Sequence, residues 1–143
     1  MHKFFSAAIL LLILAGCATR PAANGFDDTR SFDRGFDEVW DSLVQHLADT
    51  DFRVKSISRD SGVIYAERAR FDDSLATCGT RGLASSSGRE VEFNIFVTES
   101  RSMTQVKVAA DFTESRYLEH SRWQHECSST GALEASILDV AGT

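Results

Sequence analysis

The chain is short of the signatures that declare a chemistry. It has no Gly-x-Ser-x-Gly elbow, no His-Glu-x-x-His pair and no glycine-rich phosphate loop between a strand and a helix. The usual marks of acyl transfer, zinc hydrolysis and nucleotide binding are therefore missing. Ser85-Ser86-Ser87 stands outside any such elbow and reads as linker. Positive charge is scarce as well: 15 Lys and Arg face 21 Asp and Glu, for a net charge of −6. Such a surface repels nucleic acid and anionic lipid and suits solubility or a basic partner. No apolar run reaches the roughly 20 residues that a membrane-spanning helix requires. No internal repeat is apparent, and the length fits one small domain.

What is present begins at the N-terminus. Met1-His2-Lys3 gives a short positive start, Phe4 to Leu14 is almost wholly apolar, and the run closes on Leu14-Ala15-Gly16-Cys17. Charge, apolar core and small residues before a cut are the parts of a secretory signal. A cysteine thiol at that point is a good nucleophile for an acyl donor. These four residues resemble the lipobox of bacterial lipoproteins; the alternative is an ordinary secretory signal followed by a chance cysteine. The resemblance implies cleavage between Gly16 and Cys17, diacylglyceryl attachment to Cys17, and a mature chain of 127 of the 143 residues with net charge −7 once Lys3 is lost. The partner so implied is the lipid bilayer, gripped by acyl chains at about 0.8 kcal/mol per buried CH₂. Ala18, where inner-membrane lipoproteins typically carry Asp, implies the periplasmic face of the outer membrane. Residues 17–28, with Thr19-Arg20-Pro21-Ala22-Ala23-Asn24-Gly25, read as the tether.

Three cysteines are an awkward number for an exported protein. With Cys17 lipidated, Cys78 and Cys127 remain, and an oxidising compartment favours their pairing. A zinc site built from Cys78, Cys127, His120 and His125 is the competing reading. Its His-x₄-His-x-Cys spacing fits no standard zinc pattern, so a disulfide is the simpler account and no metal or cofactor is expected.

Periodicity sets the expected fold. Thr29 to Asp33 reads as a short strand. Phe36, Val39, Trp40, Leu43, Val44 and Leu47 fall on one face of a helix over 36–47. Asp37, Glu38 and Asp41 lie at its positive end, Gly35 is the N-cap and Glu38 is placed to reach back to it. Phe52 to Ser58 and Val63 to Arg68 form a hairpin around Asp60-Ser61-Gly62. Residues 71–89 read as a long loop. Val91, Phe93, Ile95 and Val97, then Val106, Val108, Ala110 and Phe112, alternate with polar residues and make a second hairpin. Residues 114–130 read as polar and irregular. A last helix runs from about Gly131 to Val140, with Thr130 as candidate cap and Leu133, Ile137 and Val140 on one face. The order β-α-β-β-β-β-α implies an α+β fold, an antiparallel sheet with two helices on one face.

Phe36-Asp37-Glu38-Val39-Trp40-Asp41-Ser42-Leu43, Phe52-Arg53-Val54 and Asp60-Ser61-Gly62-Val63-Ile64-Tyr65-Ala66-Glu67 together resemble the helix-grip domains of BamC-like lipoproteins of the outer-membrane β-barrel assembly machine. The likeness covers residues 30–68; the chain differs in having a single such domain and in carrying Cys78 and Cys127. It implies a non-enzymatic interaction module of the cell envelope that assists outer-membrane assembly. The class-distinct alternative is a carrier or sensor holding an apolar ligand between the first helix and the sheet, where Phe36 and Trp40 would line a groove. Trp123 sits in a polar stretch, Arg122-Trp123-Gln124-His125, that periodicity does not explain. Trp123 either packs over the loop or anchors a partner; it and Arg122 are the candidate partner-binding residues, since aromatic and arginine side chains dominate binding hot spots. Arg81, Arg89, Arg101 and Arg116 read as solvated loop residues, and His46 as a solvated residue of the helix's polar side.

Overall fold

A computed structural model describes residues 25–143. The proposed signal segment and Cys17 lie outside the described residues. The elements run β1 Thr29–Phe32, α1 Phe36–Asp49, β2 Arg53–Ser58, β3 Val63–Arg68, β4 Ala76–Thr77, β5 Ser85–Ser100, β6 Met103–Leu118, β7 Ser121–Ser129 and α2 Ala132–Ala141. Every strand pairing is antiparallel, and the sheet order is β2-β3-β5-β6-β7-β4. The α+β class expected from the pattern is observed, with seven strands and two helices. No helix among the described residues is long and apolar enough to cross a membrane.

The sheet is organised around β6. Fifteen register pairs tie it to β5, from Ser85↔Tyr117 to Ser100↔Met103. Its other edge is shared: β1 holds Thr104 to Lys107, and β7 holds Phe112 to Leu118. Side chains alternate faces along a strand. Val91, Phe93, Ile95 and Val97 therefore lie beside Phe112, Ala110, Val108 and Val106 on one face. Val39, Leu43 and Leu47 of α1, Leu133, Ile137 and Leu138 of α2, and Ile64 and Ala66 of β3 complete the same buried cluster. Each such large aliphatic or aromatic burial stabilises by about 1.5–3 kcal/mol.

The first helix forms where the 3.6-residue stripe predicts and runs two residues further. Val39 N–H donates to the carbonyl of Gly35 at 3.2 Å, as at a helix start. The expected reach of Glu38 to the cap is replaced by an ion pair with Arg34 at 3.5 Å. At the other end the Thr50 hydroxyl donates to the carbonyls of His46 and Leu47, at 2.9 and 3.3 Å, and satisfies groups a helix end leaves open. The β2–β3 turn clamps the helix: Arg59 pairs with Asp37 at 2.6 Å and Asp41 at 3.3 Å and covers the Phe36 and Trp40 rings at 5.9 Å each. Gly62 makes that turn possible. Its φ is +65°, and a Cβ there would lie 2.0 Å from the carbonyl oxygen of Val97.

Four expectations are corrected. The reading of residues 114–130 as irregular gives way to the end of β6 and all of β7, and the 71–89 loop contains β4 and the start of β5. The tether is also shorter than residues 17–28. Val108 N–H donates to the carbonyl of Asp28 at 2.8 Å, and the Phe26 ring lies where a Cβ on Gly131 would stand. At the last helix Gly131, with φ +85°, is the cap residue, while Thr130 binds the carbonyls of Ser74 and Leu75.

Candidate functional site

Cys78, Cys127, Arg81, Arg116, Arg122 and Trp123, singled out in the sequence, gather at one end of the sheet, where β6, β7 and the 71–84 segment meet. Short β4 pairs with Ser128 and Ser129 of β7, which brings Cys78 against Cys127. The two sulfurs are bonded at 2.03 Å across 49 residues of sequence. The expected disulfide is thus present in the fold. Both thiols are consumed by it, so the zinc reading loses two of its four ligands.

Above the disulfide lies a group the sequence reading missed. Glu114 follows Phe112 on the inner face of β6 and is wholly buried, at 0 % exposure. Arg81 reaches it through Nε and Nη2 at 3.0 and 2.8 Å, Arg89 through Nε at 3.0 Å and Arg116 through Nε at 2.6 Å. Arg116, 5 % exposed, also donates to the carbonyls of Thr80 and Cys78. Arg89 continues to Asp73 at 2.7 Å and covers the Phe71 ring, which meets Phe112 edge-on at 5.0 Å. Burial opposes ionisation of Glu114, but hydrogen bonds from Arg81, Arg116, Arg89 and Ser86 outweigh it and hold the carboxyl well below the usual carboxylate range. A carboxylate fixed in one charge state is not equipped for proton transfer near neutral pH, where a useful group titrates close to the working pH. The chemistry of this cage is attachment: it rivets the 78–84 segment to the sheet.

Trp123 and Arg122 are not brought together. Both are on β7, where neighbours face opposite ways: Trp123 pairs with Arg116 on the inner side and Arg122 with Tyr117 on the outer. Trp123 instead shares its face and end with Leu118, diagonal to it across the hairpin. Trp123 is 40 % exposed, Leu118 42 % and Leu83, just before β5, 90 %. All three lie at the same end of the sheet, an apolar tip: Leu83 is two residues before Ser85, which pairs with Tyr117, and Leu118 borders the β6–β7 turn. Arg101 stands apart at the opposite end, in the β5–β6 turn. His46, read as solvated, is half-buried in α1.

Of the arginines read as solvated, Arg81, Arg89 and Arg116 thus have a specific partner. Alternation continued past Phe112 would have revealed it, since it places Glu114 and Arg116 inward and demands counter-charges for them. On the polar face, Glu67, Glu90 and Glu92 form an acidic group whose Glu67 is already paired with Arg53 at 3.1 Å and Lys55 at 3.2 Å. A groove of about 700 Å³ opens between β1 and β7, lined by Phe26, Lys107, Ala110, Asp111, Ser128 and Glu134. The α1–sheet interface is filled: Val39, Leu43, Ile64, Phe93 and Ile95 are all 0 % exposed. The chain matches no protein-family model and no curated protein.

Proposed function

We propose that this chain is a lipoprotein anchored through Cys17 to the periplasmic face of the outer membrane. Its folded part is a non-enzymatic interaction module of the envelope, of the helix-grip kind, that assists outer-membrane assembly by contact rather than by catalysis. The observation that carries the reading is the Cys78–Cys127 bond. It accounts for two of three cysteines, suits an oxidising compartment, and leaves over Cys17, which ends the signal-like apolar run. The apolar tip of Leu83, Leu118 and Trp123 gives the module a contact surface. The filled interface beneath α1 favours this reading over an apolar-ligand carrier, which would need space there.

Mass spectrometry of the mature N-terminus tests the anchor. The expected species begins at Cys17 and carries acyl chains, and Cys17→Ser leaves the precursor uncleaved. A mature chain beginning elsewhere, or an unmodified Cys17, would refute it.

A further inference from the structure

We propose that the contact made by the Leu83–Leu118–Trp123 tip is with the bilayer itself, so that the domain stands on the membrane with this end down. The proposal rests on the lipidation of Cys17. Direction is the first argument. β1 is antiparallel to β6, so tracing the chain backwards from Phe32 to Thr29 climbs β6 from Thr104 to Lys107. Asp28 continues to Val108, and Phe26 and Gly25 border the groove beside Ala110 and Asp111. The chain therefore leaves the domain heading for the end of the sheet where β6 stops at Leu118.

Reach is the second argument. Residues 17–24 separate Cys17 from the described chain, and eight residues extend at most about 29 Å. At about 3.4 Å per strand residue, Leu118 lies about 24 Å beyond Asp111 and the β5–β6 turn at Arg101 about 34 Å the other way. An acylated Cys17 can lie level with the tip but not with the opposite turn.

Surface chemistry is the third. Segments 79–84 and 114–126 balance Arg81, Arg116 and Arg122 against Glu114, Glu119 and Glu126, so the negative net charge of the chain resides elsewhere. The tip thus carries no net negative charge for phosphate headgroups to repel, and it offers what an interface accepts. Trp123, with Tyr117 on the adjoining face, belongs to the residue types that concentrate at membrane–water boundaries. Leu83 and Leu118 supply aliphatic surface to bury.

The test uses the mature acylated chain in phosphatidylcholine vesicles, with and without bromine on the lipid acyl chains. Trp40 is 3 % exposed inside the domain, so Trp123 is the tryptophan able to meet lipid. Brominated lipid should quench wild-type emission, Trp123→Phe should abolish the quenching without altering folding, and Leu83→Asp should reduce it. A chain shown by mass to be acylated and found with the vesicles, yet emitting identically in both lipids, would overturn the docking and leave the anchor standing. Absence of acylation would remove the anchor and the orientation argument with it. In cells, a photo-crosslinker at Leu83 should capture phospholipid; capture of a protein in its place would also overturn the proposal.

Discussion

Replacing Glu114 by Gln should unsettle this domain more than any other single change of one charge. The substitution keeps the shape and removes the charge, leaving Arg116, at 5 % exposure, with no anion in reach of its buried Nε. Breaking a buried ion pair from one side costs about 3–5 kcal/mol, a large share of the 5–15 kcal/mol typical of a whole domain. A loss of that size lowers the melting temperature by about 12–20 °C, at roughly 4 °C per kcal/mol for a chain of this length. Circular dichroism melts at pH 7 measure it, and hydrogen exchange should show the 78–84 segment opening first. Adding Arg116→Met should recover part of the loss, because the most buried of the three arginines is then no longer stranded without its carboxylate. A shift below about 3 °C for Glu114→Gln, with no recovery in the double variant, would refute the reasoning and show that water serves these arginines.

Acid should erase the difference. The folded Glu114 carboxyl is held below its ordinary range, so its contribution is complete above the usual glutamate value near about 4.3 and is lost as pH falls through the folded value. The gap between the melting temperatures of wild type and Glu114→Gln should therefore start to narrow at about pH 4 and keep closing as pH falls further, and a gap unchanged at about pH 2 would contradict the assignment. Reduction of Cys78–Cys127 releases a loop of 49 residues and should cost up to about 4 kcal/mol, read as a lower melting temperature in dithiothreitol; non-reducing peptide mapping of the protein should recover the linked pair. Gly131→Ala should destabilise by about 2 kcal/mol, since a side chain at φ +85° is strained and its Cβ would overlap the Phe26 ring. Adding Phe26→Ala should relieve the overlap but not the backbone strain, so partial rescue in urea titrations is the expected result.

Legibility followed the hydrophobic faces. Wherever a strand or helix turned one side to the aliphatic core, spacing alone located it: Val39 to Leu47 in α1, Val91 to Val97 in β5 and Val106 to Phe112 in β6. It failed where the inner face is lined by other chemistry. Beyond Phe112 the inward positions are Glu114, Arg116, Trp123, His125 and Cys127, which make a charged cage, half of a disulfide and an exposed end rather than a run of leucines. A period of two persists there, but its inward members are not the residues a hydrophobic reading counts. Cysteine parity found the disulfide because it depends on number and compartment, not on burial. The arginine cage was hidden for a different reason: Arg81 and Arg89 lie 33 and 25 residues from Glu114, and only the pairing of β5 with β6 brings them together.

The attachment of β1 has a mechanical consequence. Any pull on the chain ahead of Gly25 enters the fold through Asp28 and the four pairs that join Thr29–Phe32 to β6. Ladder bonds of an antiparallel pair run across the strands, and the pull arrives along them. The bonds are therefore sheared together and share the tension, instead of being unzipped in turn from one end. A short strand loaded this way resists more than its length suggests.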